Sequence, residues 1–334
     1  MSVSDLLLEP VYVFEERRAQ GTIFSRGPSG FRPGHSLVGF TWRRDRLLSA
    51  QAKVGSKSLL GRPSRYGSAE PLDEIGLIEA YGQLDSDYGR LRGGLVPIPF
   101  GLEGGDAESR LKLPRSLLFQ SRLVNLRDYG VSYRITFDGF FSDWAAHNGE
   151  GGPDLDGETW MTARWGWQGF KFLRIGVSGT AGRTSPESTQ PVGSTHTSDE
   201  AGLDIGDFSR VRIANAFLWW DTRPIRLALE GSTGDVRQRD RSAKLRSFHA
   251  DLEVEAGESL SFLSRYDTID PRDDRQGDTI TEVSFGLAWR SAYENSVVTL
   301  VGTKRFQEDP SAGAHRVQLA WRLTPSILQL HSFL

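Results

Sequence analysis

Four cations crowd one acid-free stretch of this 334-residue chain: Lys112, Arg115, Arg122 and Arg127, all within 111–127 of segment 101–128. The segment opens acidic, with Glu103, Asp106 and Glu108. From Leu111 to Arg127 it then carries no acid, and seven Leu, Val and Phe side chains from 113 on separate its basic residues. Cations in that pattern attract small anions, and the apolar residues between them need a wall to pack on. A connection longer than about 12–15 residues without structure of its own is usually functional. The segment therefore reads as folded into an aqueous lumen, with its Lys and Arg narrowing the passage as weak anion sites. The bland alternative is a loop lying over the mouth of that lumen.

Other chemistry is sparse. Cys is absent, which excludes disulfides and thiolate metal sites. The six His residues (35, 147, 196, 249, 315 and 331) have no metal-type partner at i+3 or i+4, so no metal and no cofactor is expected. Ser247 with His249 suggests a hydrolase only in outline; nothing activates the hydroxyl, and the chain is not read as an enzyme. The acidic stretches 150–158 and 267–278 offer oxygen ligands for Ca²⁺ without EF-hand spacing, and read as solvated loops able to meet divalent cations of a cell-surface lipid layer. A net charge of −3 gives no reason to expect nucleic acid as a partner.

The elements that would position the cations are amphipathic strands. In 131–138, Val131, Tyr133, Ile135 and Phe137 oppose Ser132, Arg134, Thr136 and Asp138; 316–323, 282–290 and 225–232 alternate likewise. About sixteen strands are expected, at 9–19, 36–44, 47–57, 75–85, 88–100, 129–138, 140–149, 159–168, 171–182, 209–221, 225–236, 244–256, 259–269, 278–290, 296–306 and 315–326. The gaps between them alternate between short and long. That asymmetry is the mark of a transmembrane antiparallel β-barrel, with tight turns on one side of the bilayer and long loops on the other. Trp42, Trp165, Trp167, Trp219, Trp289 and Trp321, with Phe137, then fall outward at one membrane level, as an aromatic girdle. The opposite face would put Arg90, Arg92, Arg134, Arg164 and Arg174 in the lumen, with Arg43, Lys53, Arg212, Arg226, Arg265, Arg290, Arg305, Arg316 and Arg322. The inward acids are fewer: Glu79, Asp85, Asp138, Glu230, Asp251, Glu253, Asp267 and Glu282. A basic lumen with low-dielectric walls favours anions. A soluble β-sandwich also alternates, but does not explain the connection lengths or the Trp placement.

Residues 88–152 carry a resemblance. "GRLRGGLVPIPFGLE" (89–103), "RSLLFQ" with "RDYGV" (115–131) and "HNGEGG" (147–152) resemble the strand, constriction loop and following turn of the phosphate-selective porin O and P family. The resemblance implies a sixteen-stranded outer-membrane barrel, a homotrimer, a third long loop folded inward, and anion transport. Two departures stand beside it. The chain is shorter than the best-known members, and Phe333 precedes a final Leu334 where an aromatic last residue is usual.

The combined expectation is one barrel domain over 1–334 with the inserted constriction loop 101–128, placed in a bacterial outer membrane among surface lipids. It would pass small anionic solutes, phosphate among them, by passive diffusion. A non-channel barrel, adhesive or structural, is the competing class. No charged stretch followed by an apolar one marks a signal peptide in this numbering.

Overall fold

The computed structural model describes residues 2–8, 11–19, 22–26, 30–32, 36–56, 75–104, 112–120, 124–149, 157–183, 210–238, 241–270, 273, 279–291, 296–307 and 314–323. Strands β1 (Ser2–Leu7), β2 (Val11–Ala19), β3 (Thr22–Arg26), β4 (Gly30–Arg32) and β5 (Leu37–Arg43) open the chain. They are followed by β6 (Leu48–Ser56), β7 (Ile75–Ser86) and β8 (Gly89–Pro97), then a one-turn helix α1 (Leu117–Gln120). The remainder is β9 (Arg127–Phe137), β10 (Phe140–His147), β11 (Trp160–Phe170), β12 (Leu173–Arg183), β13 (Arg210–Thr222), β14 (Ile225–Gln238), β15 (Arg241–Glu255), β16 (Leu260–Asp270), β17 (Ile280–Arg290), β18 (Ser296–Gln307) and β19 (Ala314–Leu323).

From β5 to β19 each strand pairs antiparallel with the next. The ring then closes. β19 pairs with β2 from Ala314↔Arg17 to Ala320↔Val11, and Leu8 continues that register against Leu323. β1 pairs with β5, and β2 with β3 and β4, so β1–β2 and β3–β5 are each one barrel strand in pieces. The described residues thus form a closed, sixteen-stranded antiparallel barrel, as the periodicity predicts.

Two connections differ from the sequence reading. The expected long loop 20–35 carries β3 and β4, with Ala19 paired to Thr22. Within 237–243, Gln238 pairs with Arg241. The strands run on where the alternation fades, because a strand standing in water needs no apolar outer face. The first strand likewise begins at Ser2 rather than at 9. On the opposite rim the turns are tight. Asp138 and Gly139 both take positive φ (46° and 79°), as a two-residue hairpin turn requires.

The outer face is apolar. Val131, Ile135, Phe285, Leu287, Leu300, Val317 and Leu319 are all exposed there, a surface suited to hydrocarbon rather than water. Near the tight turns lie exposed aromatics: Trp42, Phe137, Phe140, Phe170, Trp289 and Trp321. Trp165 also faces outward, edge-on to Trp144 at 4.8 Å, and Trp167 meets Phe170 at 5.2 Å.

Trp219 is a correction. It turns into the barrel beside Phe217, and Trp220 takes the outward place. The same one-residue slip puts Val211 and Ile213 inside and exposes Arg212, so Arg212 leaves the lumen set. The tandem Trp219-Trp220 and the inward apolar run hid the register from sequence. Asp138 sits in a turn, whereas Asp143, absent from the expected inward acids, is buried in the lumen wall.

Candidate functional site: a loop-narrowed lumen

The described residues 98–104, 112–120 and 124–126 lie inside the barrel. Among them the apolar residues Phe100, Leu117, Leu118, Phe119, Val124 and Leu126 pack in one buried cluster with Val211 and Ile213 of β13, Leu245 of β15, Ile269 of β16 and Ile280 of β17. Burying each such side chain stabilises the loop by about 1.5–3 kcal/mol. A hydrophobic footing on the lumen side explains why a pore loop carries so many Leu residues.

Polar contacts fix the loop's position. Gly101 N donates to Ser178 Oγ (2.9 Å) and Leu102 N to Glu230 Oε2 (2.8 Å). Leu117 N, at the open end of α1, donates to Asp267 Oδ2 (2.6 Å). Gly101 has φ +58°, and a Cβ there would lie 2.1 Å from Glu230 Oε1, so the position demands glycine.

Glu103 is the central fastening. It accepts from Ser116 N and Oγ (both 2.8 Å to Oε2) and from Arg265 Nη2 (2.9 Å). Arg265 also holds Asp251 (2.5 Å) and the Pro114 carbonyl. Burial by itself raises the Glu103 pKa, but Arg265 foremost, with His249, Arg115 and the Ser116 amide, outweighs it and holds the group at about 2. A depressed pKa means the fastening is present above the ordinary carboxylate range. It is lost only as pH falls toward 2.

The loop leans on the β12–β17 side, and a cavity of about 290 Å³ remains between it and β6–β11. Among the described residues, Lys53, Arg90, Arg92, Arg115, Arg127, Arg134 and Arg164 border the cavity with Glu79, Glu103 and Asp143: seven cations against three carboxylates. Some of that charge is tied. Arg127 and Lys53 share Glu79 (2.8 and 3.1 Å), and Arg164 holds Asp143 (2.6 Å) and the Gly101 carbonyl (2.9 Å). Arg90 pairs with Asp85 at 2.7 Å but stays 43% exposed, and Arg134 lies 3.4 Å from Asp143 and 45% exposed.

The structure therefore separates the nine basic residues singled out from sequence. Arg90, Arg92, Arg115, Arg127, Arg134 and Arg164 meet at the cavity. Lys112 does not: it is paired with Glu253 on the opposite wall. Arg174 lies outside the cavity lining, over the Trp219 ring at 5.6 Å. Arg122 falls outside the described residues. Arg115 is buried and donates to the Glu103 carbonyl (2.7 Å), so it braces the loop as well as bordering the cavity.

Sequence reasoning missed a second fastening at the loop's exit. Asp128, fully buried, accepts from Gly149 N (2.5 Å) and meets His147 Nδ1 (2.8 Å); His147 Nε2 meets Thr162 Oγ1 (2.9 Å), which meets Thr180 Oγ1 (2.8 Å). The signal was present, since Asp128 and His147 lie in two of the three segments that carry the family resemblance. His147→Leu is expected to leave Asp128 and Thr162 short of partners and to cost about 1–3 kcal/mol, read as a lower denaturant midpoint in detergent at unchanged slope. Buried Glu103 and His249 and half-buried Asp251 have ligand atoms within 4.8 Å of one another, but Arg265 occupies the carboxylates, which does not fit a metal ion.

No protein-family model matches the chain, and no curated protein matches it. Solved structures do. An anion-selective porin from Comamonas acidovorans is similar at a TM-score of 0.66 and 9% identity, over 96% of this chain and 99% of that one. OmpT, an outer membrane protein of Vibrio cholerae in its trimer form, gives 0.63 at 11%, over 97% and 100%. The outer membrane channel DcaP of Acinetobacter baumannii gives 0.63 at 11%, over 97% and 96%. At these identities the likeness is one of fold: the barrel has the porin architecture.

Proposed function

We propose that this chain is an outer-membrane porin that passes small solutes by passive diffusion and prefers anions. The observation that carries the reading is the cavity left beside the inserted loop, bordered by seven cations and three carboxylates. Positive potential in a narrow, low-dielectric passage concentrates anions and repels cations before any specific contact is made. Nothing in this mechanism needs a catalytic step. Selectivity rests first on Arg90, Arg92 and Arg134, which line the cavity, and less on Arg115, Arg127 and Arg164, which also brace the loop.

The apolar exterior and its aromatic band support residence in a lipid bilayer, with surface lipids around the long-loop rim. A homotrimer is part of the proposal, supported by the trimer form of one structural neighbour. Phosphate is one candidate solute among small anions, supported by the sequence resemblance over 88–152.

Planar-bilayer recording of the purified protein tests the reading. Discrete conductance steps in chloride, reduced by added phosphate, are expected. A barrel that inserts without opening any conductance would assign the chain to the non-channel class.

A further inference from the structure

The lumen arginines are not placed at random: four of them lie over inward aromatic rings. Arg92 covers Tyr81 at 4.9 Å; Arg134 and Arg164 flank Phe141 at 5.8 and 5.5 Å; Arg174 covers Trp219 at 5.6 Å. The rings are held from behind, Tyr81 among Val96, Ile98 and Ala145, and Phe141 among Leu102, Phe217 and Trp219. Inorganic anion transport has no use for this. A water-filled passage for chloride or phosphate needs charge, and large inward aromatics cost hydration without helping.

A guanidinium laid flat on a ring is fixed in orientation and keeps one weakly hydrated face for a second planar group. Its N–H edges stay available for a carboxylate. Arg92 lies over Tyr81 and Arg134 over Phe141 within the range of such contacts. Among the described residues, the contacts that hold them run through Nε, to Gln83 (2.9 Å) and Asp143 (3.4 Å). They sit as diagonal neighbours on the β8–β9 pair, where Arg92 is opposite Ser132 and Arg134 opposite Arg90, and both border the cavity.

We infer that the preferred permeants are planar aryl carboxylates, bound with the carboxylate across Arg92 and Arg134 and the ring stacked on a guanidinium face. This rests on the channel reading above and narrows its substrate class.

The test is block of chloride current through the reconstituted, full-length channel by benzoate, acetate and cyclohexanecarboxylate, each at equal charge and pH. Benzoate is expected to halve the current at a concentration about tenfold below that of acetate. Cyclohexanecarboxylate, as apolar but not flat, should resemble acetate. In Arg92→Lys, which keeps the charge and loses the planar guanidinium, the benzoate advantage should shrink toward one. Equal block by benzoate and acetate, or equal block by benzoate and cyclohexanecarboxylate, would overturn the inference. Chloride selectivity measured in the same membranes keeps the two readings apart: if it persists, only the aryl class is lost; a cation-selective native channel defeats both.

Discussion

Arg265→Leu is expected to free the inserted loop, destabilising its seat by about 3–5 kcal/mol. The guanidinium is buried, as is Glu103, and it joins Glu103 of the loop to Asp251 of the wall while donating to the Pro114 carbonyl. Removing it leaves two carboxylates facing each other without their shared counter-ion, beside Asp267, which already accepts from Leu117 N. The sixteen-strand hydrogen-bond ring does not depend on this contact, so the barrel should remain folded in detergent. The change should appear in the loop: trypsin should cut within 101–128 in the variant and not in the native protein, and single-channel conductance should rise and become noisy. A protected loop with native conductance would show that the apolar cluster around Phe100, Leu117 and Phe119 holds the segment unaided.

Arg92→Glu combined with Arg134→Glu is expected to lower the chloride-to-potassium permeability ratio by about tenfold or more, because fields focused in a narrow cleft act on every passing ion. The cavity moves from seven cations and three carboxylates to five and five. The exposed Arg134 responds without refolding, and neither residue belongs to the loop's fastening. Arg212→Gln is the matched control, since Arg212 lies outside the barrel lumen and should leave the ratio unchanged. A ratio that ignores the double reversal would place the selective step elsewhere in the passage.

The barrel was legible because lipid outside and water inside impose period two on each membrane-crossing strand, as in β9 and β19. Legibility failed where that contrast ends. β3, β4 and the tip of the β14–β15 hairpin stand beyond the apolar band and read as loops. In β13 the lumen face is itself apolar, because Val211 and Ile213 receive the loop, and the period slipped by one residue, carrying Trp219 and Arg212 to the wrong sides. The constriction loop was legible from its Leu and Arg content. Its partners were not: Arg265 lies 162 positions from Glu103, and Asp267 is 150 from Leu117. Spacing along the chain carries no record of such pairs. Nor could charge counting foresee that Lys112 would be drawn to Glu253 while Arg90, Arg92 and Arg134 stayed at the cavity.

The central claim, an anion-preferring channel, meets its most direct test in the zero-current potential of the native protein across a tenfold potassium chloride gradient. The cavity's surplus of cations calls for a potential displaced toward the chloride equilibrium value. Displacement toward the potassium value would contradict it.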